Sequence, residues 1–259
     1  MRYYVVADIH GFYSLTIKAL EEKGFFDDKG EKKLVICGDM LDRGDEPKKL
    51  QSFILDLLSR DEVILIRGNH EDLMEEMIEN LYEYLPALSF THHSHNGTLD
   101  TAMTLTKMSK RDIEQSPETF RQRAWDTPYM REIIPSSLDY YETENYIFVH
   151  GYIPCEEVLV GKDKKRYFPL EHWREAGSKA WERARWINGM DAWKNGGKIE
   201  GKTIVCGHFH SSWGHANLDG KGSEWGEDAI FTPYIADGII SLDSATPHTK
   251  MVSCIVIED

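Results

Sequence analysis

Residues 63–71 read VILIRGNHE. The first four are bulky and apolar, and three are β-branched, which predicts a short buried strand. The next five, Arg67, Gly68, Asn69, His70 and Glu71, are not core residues. An amide, an imidazole and a carboxylate at the end of a buried strand are groups that bind or react. The arrangement recurs along the chain: VVAD closes on Asp8 with His10 two residues on, VICGD on Asp39, YIFVH on His150, and TIVCGH on His208 with His210 two residues on. In an open α/β sheet, ligands bind beyond the carboxyl ends of the strands. One such ending would be ordinary turn chemistry. Five, all built from Asp, Asn or His, gather donors at one sheet edge. Oxygen and imidazole donors without thiolate suit divalent cations such as manganese, iron or zinc, with magnesium a poorer match to so many imidazoles. The spacing suits two ions sharing a carboxylate, and Asp39, lying between the outer groups, is expected to bridge.

Helical patterns separate these strands. SLTIKALEEKG (14–24) has apolar residues at helical spacing, with Ser14 as N-cap candidate and Gly24 as stop. Residues 46–60 accept Pro47 in a first turn, and 71–85 form a third helix. Such alternation implies a parallel sheet with right-handed crossovers. The pattern breaks at 86–138, which is polar, carries short helical stretches and contains HHSHNG (92–97). It reads as a helical cap inserted within a single domain spanning 1–259, with His92 and His93 on a solvated loop. YYETENYIFVHG (140–151) predicts a hairpin turning at Glu144-Asn145, and GKDKKR (161–166) an exposed basic loop. A helix using Trp173, Trp181, Trp186 and Trp193 as its apolar face is expected next. A glycine-rich loop (214–227) and strands around GIISLDS (238–244) and MVSCIVIE (251–258) complete the chain, with Asp243 supporting its strand.

A net charge of −14 disfavours nucleic-acid binding, which rests on neutralised phosphates. An anionic substrate at a local cationic centre stays open. The sequence has no apolar run of membrane-spanning length and no signal-peptide pattern, so no membrane partner and a cytoplasmic location are expected. Cys37, Cys206 and Cys254 lie in apolar runs and read as buried thiols rather than a disulfide framework.

DIHG (8–11), GDMLDRG (38–44), RGNHE (67–71), VHG (149–151) and GHFH (207–210) occur in that order. With them the chain resembles the calcineurin-like metallophosphoesterases. Their spelling is similar to the phosphoprotein phosphatases, the bacterial and phage lambda-type phosphatases and the symmetrical dinucleoside tetraphosphatases. The resemblance implies a four-layer α/β/β/α sandwich with an inserted helical cap, and two divalent ions, manganese foremost. It places Asp8 and His10 on the first ion, Asp39 between the two, and Asn69, His150 and His208 on the second. It makes His70 the general acid, Asp42 its orienting carboxylate and Arg43 a phosphate clamp. The ending GHFH departs from the phosphoprotein phosphatase spelling, GHT, and offers His210 as a further ligand to the first ion. WERAR (181–185) resembles a segment whose arginine reaches the phosphate, so Arg183 or Arg185 is expected there. HNG (95–97) resembles an NGG stretch and offers Asn96 as a substrate contact.

The implied substrate is phosphorylated: a phosphoserine or phosphothreonine protein, or else a dinucleoside polyphosphate. A nucleotide would need a base pocket, for which Tyr129, Trp125 and Phe90 are the candidates in the cap. A non-catalytic scaffold would have lost ligands, and this chain keeps them all.

Overall fold

Strands that are apolar without alternation have both faces covered, and here two stacked sheets provide the inner cover. The computed structural model describes residues 1–160 and 165–259. The first sheet contains β1 (Arg2–Val6), β2 (Lys32–Cys37) and β3 (Val63–Ile66), parallel to one another, with the last strand of the chain, β11 (Cys254–Glu258), antiparallel on β1. The second contains the hairpin β4 (Tyr141–Glu142) and β5 (Tyr146–Phe148), then β8 (Thr203–Cys206), β10 (Ile239–Ser241) and β9 (Tyr234–Ala236), with β5, β8 and β10 parallel. A separate ribbon pairs β6 (Cys155–Leu159) with β7 (Lys165–Pro169).

Alternate residues of each strand serve two cores, following the period of two. Tyr3, Val5, Val35, Cys37, Ile64 and Ile66 face inward onto Phe148, Val205 and Leu242 of the second sheet. Tyr4, Val6, Leu34, Ile36, Val63 and Leu65 face outward onto helices α1 (Tyr13–Glu22), α2 (Pro47–Ser59) and α3 (Asn69–Glu79). The outer face of the second sheet, Ile147, Val149, Ile204 and Ile239, packs on Trp173, Trp181, Met190 and Trp193. The layers are therefore helix, sheet, sheet, helix, the four-layer α/β sandwich.

Several local readings are corrected. Ser14 lies inside α1 and hydrogen-bonds the Glu46 carboxylate instead of capping the helix. The third helical pattern breaks at Asn80, beyond which α4 (Leu81–Tyr84) begins. Residues 86–138 are more helical than their polarity suggests: after α5 (His92–His95), the helices α6 (Thr98–Thr106), α7 (Lys110–Gln115) and α8 (Pro117–Trp125) contribute Leu99, Ala102, Ile113 and Phe120 to the same core as α2 and α3. His93, expected in solvent, is fully buried. Of the basic stretch, 161–164 lie outside the described residues, and Lys165 and Arg166 open β7 rather than a loop. The tryptophans do not share one helix. Trp173 sits in a short turn, Trp181 in α9 (Ser178–Arg185) and Trp193 after α10 (Gly189–Ala192), while Trp186 is 51% exposed. Residues 214–217 belong to α11 (Ser211–Asn217) rather than to the glycine-rich loop. Cys37, Cys206 and Cys254 are buried free thiols. No helix among the described residues is long and apolar enough to cross a membrane.

Candidate metal centre

Each of five strands stops, and a polar residue follows at nearly constant offset. Val6 leads to Asp8, Cys37 to Asp39, Ile66 to Asn69, Phe148 to His150 and Cys206 to His208. The five do not share one sheet edge, as the strand pattern alone suggests: β1, β2 and β3 come from the first sheet, β5 and β8 from the second. Cross-sheet hydrogen bonds join the two ends. The His208 amide donates to Asp8 Oδ2 (2.9 Å), and His150 Nδ1 donates to the Cys37 carbonyl (2.8 Å). A side chain at Gly207 would strike the Asp8 carboxylate, so the crossing needs glycine there.

Asp39 is the hub. Its Oδ2 lies 3.8 Å from Nε2 of both His10 and His70, and its Oδ1 lies 3.3 Å from His150 Nε2. Ligating atoms of His10, Asp39 and His70 fall within 4.8 Å of one another, as do those of Asp39, His150 and His208. Asn69 Oδ1 lies 2.8 Å from His150 Nε2 and 2.9 Å from His208 Nδ1. With Nδ1–H committed to the Cys37 carbonyl, the other ring nitrogen of His150, Nε2, points at Asn69 Oδ1 and Asp39 Oδ1. Imidazole and oxygen donors converging on one point are a set that a divalent cation takes.

Charge makes the same point. Asp8, Asp39 and Asp243 are all buried. Burial, then Asp243 and Asp39, pushes the Asp8 carboxyl well above its usual range, and burial raises Asp243 to about 6. Burial and His70 hold His10 well below the usual imidazole value, and burial and His150 bring His208 to about 3. Buried carboxylates beside neutral imidazoles are costly alone and are suited to coordinating divalent cations.

Beside the hub, His70 Nδ1 donates to Asp42 Oδ2 (2.8 Å), which also accepts from Thr98 Oγ1 (2.8 Å). Burial opposes protonation of His70, but Asp39 and Asp42 outweigh it and raise its pKa. Arg43 donates from Nη1 to His10 Nε2 (3.1 Å) and from Nη2 to Asn96 Oδ1 (3.1 Å). Six of these residues, Asp8, His10, Asp39, Asp42, Arg43 and His208, have left-handed backbone, φ 47° to 70°. Non-glycine residues adopt it sparingly, and it clusters at functional sites.

Three expected members stand elsewhere. His210 is hydrogen-bonded through Nε2 to Glu224 Oε1 (2.9 Å) and packs on Trp225, outside both donor groups. Arg185 is buried in ion pairs with Asp72 (2.8 Å) and Asp139. Arg183 is exposed on α9.

Sequence reasoning missed four residues. Asp243, read as strand support, lies close enough to Asp8 and Asp39 to repel both. Glu71, fully buried, accepts from the amides of Gly68, Asp39 and Met40 and from the Tyr129 hydroxyl. Thr98 buttresses Asp42. Trp186 stands edge-on to His208, ring centroids 5.6 Å apart. Only Glu71 carried a signal, its place inside RGNHE.

A family model described as calcineurin-like phosphoesterase matches residues 1–234. The fold is similar to a solved structure of a candidate diadenosine tetraphosphatase (TM-score 0.50, 14% identity, covering 99% of this chain and 89% of that one). It is similar also to the cold-active protein-tyrosine phosphatase of the psychrophile Shewanella sp. (TM-score 0.52, 17% identity, covering 100% of this chain and 75% of that one). No curated protein matches the sequence.

Proposed function

The chain belongs to the calcineurin-like phosphoesterases, metal-dependent hydrolases of phosphoesters, and we propose that this member is a phosphomonoesterase acting on phosphoserine or phosphothreonine in proteins. Small phosphomonoesters are accepted too. The observation that favours it is the commitment of two of the cap's three candidate aromatics. Tyr129 is buried with its hydroxyl on Glu71 and Trp125 is packed against the core, while Phe90 stands 84% exposed. Only Phe90 is free, and one ring alone does not sandwich a nucleotide base. Residues 86–138 act as the cap within one domain, reaching the site through Asn96 and Thr98.

Asp8 and His10 would hold one ion, Asp39 both, and Asn69, His150 and His208 the other, with manganese the proposed metal. When bound, such a pair supplies Lewis acidity, which lowers the pKa of water and draws charge from phosphoryl oxygens. The chain's own groups do the rest. Arg43, steadied by Asn96, presents a planar guanidinium to phosphoryl oxygens. His70 holds a proton and delivers it to the leaving serine or threonine oxygen. Asp42, itself fixed by Thr98, keeps the ring aimed.

A second reading, symmetrical cleavage of a dinucleoside polyphosphate, draws on a different place. Trp186 and Phe209, with Tyr167 and Ile187, line a cleft of about 630 Å³ on the His208 side. An exposed indole there could stack on a base. The two readings separate in one tube. Metal-free protein is reloaded with manganese and given a phosphoserine peptide and diadenosine tetraphosphate together, followed by phosphorus NMR. Inorganic phosphate growing first supports the phosphomonoesterase. ADP growing first replaces it with the polyphosphate reading. Neither, with two ions bound, overturns both substrate classes.

A further inference from the structure

A second cluster of metal-ligating side chains lies away from Asp39, where α3 meets α5. Glu76 projects from α3, and His92 and His93 begin α5. One ligating atom from each falls within 4.8 Å of the other two, and His92 Nε2 is 3.6 Å from Glu76 Oε2. His93 is fully buried, yet neither of its ring nitrogens has a hydrogen-bond partner. Buried polar atoms are nearly always paired, so a buried imidazole with both nitrogens empty calls for a partner not drawn from the chain.

The surroundings prepare that partner's place. The Tyr84 hydroxyl donates to Glu76 Oε1 (2.6 Å), fixing the carboxylate as an outer-sphere donor fixes a metal ligand. The Tyr84 ring meets His93 edge-on at 4.6 Å, and the two imidazoles lie 3.9 Å apart by ring centroid. Two imidazoles so close repel if both are charged. Burial, with His92 next, brings His93 to about 4, leaving it neutral and ready to donate a lone pair. Glu79 and Glu182 share the adjoining groove with Glu76 and favour a cation there. Glu76 and His92 are each nearly half exposed, so water can complete the coordination.

We propose that Glu76, His92 and His93 form a further cation site, separate from the centre around Asp39 and suited to zinc. Two imidazoles and one carboxylate with an open fourth position are a known zinc donor set, and neither calcium nor magnesium favours imidazole. Its position gives it a structural consequence. α3 starts with Asn69 and His70, and α5 runs on into Asn96 and Thr98, which touch Arg43 and Asp42. An ion held between the two helices staples together the elements that carry the site.

The test is a zinc count. Wild type, His92→Ala and Glu76→Gln are dialysed to equilibrium against the same low concentration of zinc, and bound metal is measured by mass spectrometry. Both substitutions are at half-exposed positions, which avoids emptying the buried His93 site. Each variant is expected to carry one zinc fewer than wild type. In wild type, the ring-nitrogen NMR signals of His92 and His93 should shift together as that equivalent binds. Equal zinc content in all three proteins overturns the proposal, whatever the total, so its failure is distinct from failure of the two-ion centre.

Discussion

Glu71→Gln should loosen the loop that presents Asp39, although the two side chains have nearly the same shape. Glu71 Oε2 accepts from the amides of Gly68 (2.7 Å) and Asp39 (3.0 Å), and Oε1 from the Met40 amide (3.0 Å) and the Tyr129 hydroxyl (2.7 Å). Each oxygen thus faces two donors. A glutamine must set its NH₂ against one of these pairs whichever way it flips. Only the Tyr129 hydroxyl can reverse and accept, so the better flip puts NH₂ at Oε1 and strands the Met40 amide. Losing one hydrogen bond to a charged acceptor costs about 1.5–3 kcal/mol. The two bonds left at Oε2 fall to neutral strength, roughly half. Against this, burial and the nearby Asp39 already disfavour a charge on Glu71, and its removal returns on the order of 1 kcal/mol. The expected net is a destabilisation of about 2–5 kcal/mol, or a melting point lower by roughly 4–20 °C for a chain of this size. Urea denaturation of the metal-free proteins measures it without the contribution of bound ions. Tyr129→Phe, which deletes one bond, should cost less. A Glu71→Gln protein within about 0.5 kcal/mol of wild type would refute the reasoning, because the carboxylate would then not be holding the loop.

His70→Asn should keep both ions and lose about 10²- to 10⁴-fold in turnover, the range for removing a general acid; full activity at unchanged metal content would mean another group protonates the leaving oxygen. Asp39→Asn should lose metal from both positions, and a variant that still binds two ions would show that another residue bridges. Gly207→Ala drives a methyl into the Asp8 carboxylate and should weaken manganese affinity by about 10–100-fold, the usual effect of disturbing a ligand's support; unchanged affinity on titration would mean Asp8 is not a ligand. Glu142, hydrogen-bonded to Arg174 (2.7 and 2.8 Å) and paired with Lys202, has its pKa pushed down to about 2. A depressed folded value stabilises the fold above the ordinary carboxylate pKa of about 4.5 and loses that contribution as pH falls toward 2. The gap in melting point between wild type and Glu142→Gln should therefore narrow over that window, and a constant gap would contradict the assignment.

The candidate site residues that follow a buried strand were legible because a polar side chain there has no packing reason to exist. Asp8, Asp39, Asn69, His150 and His208 all follow that logic, and His10 and His70 ride with them. The division of strands between two sheets was not legible from periodicity, since a strand buried on both faces looks the same against a helix or a second sheet. Side-chain partners were hidden for a related reason. Arg185 looked free to meet a phosphate, but Asp72 and Asp139 neutralise it. His210 matched a ligand spelling, but Glu224 holds it. Thr98 and Tyr129 lie 56 and 58 residues from Asp42 and Glu71, the groups they support. Such choices depend on what the fold brings near, which short-range patterns do not encode.

The left-handed residues tie these observations together. Glycine would relieve the backbone at Asp8, Asp39 or His208, yet glycine has no donor to offer. The chain keeps the donor and accepts local strain, of order 1–3 kcal/mol per residue. Strain of that kind persists only where surrounding bonds over-determine the geometry. Around Asp39, Glu71 supplies three backbone bonds. Around Asp8 and His208, the cross-sheet amide bonds do so. The residues that look least catalytic in RGNHE and GHFH, a buried glutamate and a glycine, are thus what lets the strained residues keep their aim. For that reason the strongest effects on the centre should come from Glu71 and Gly207 as well as from the donors themselves.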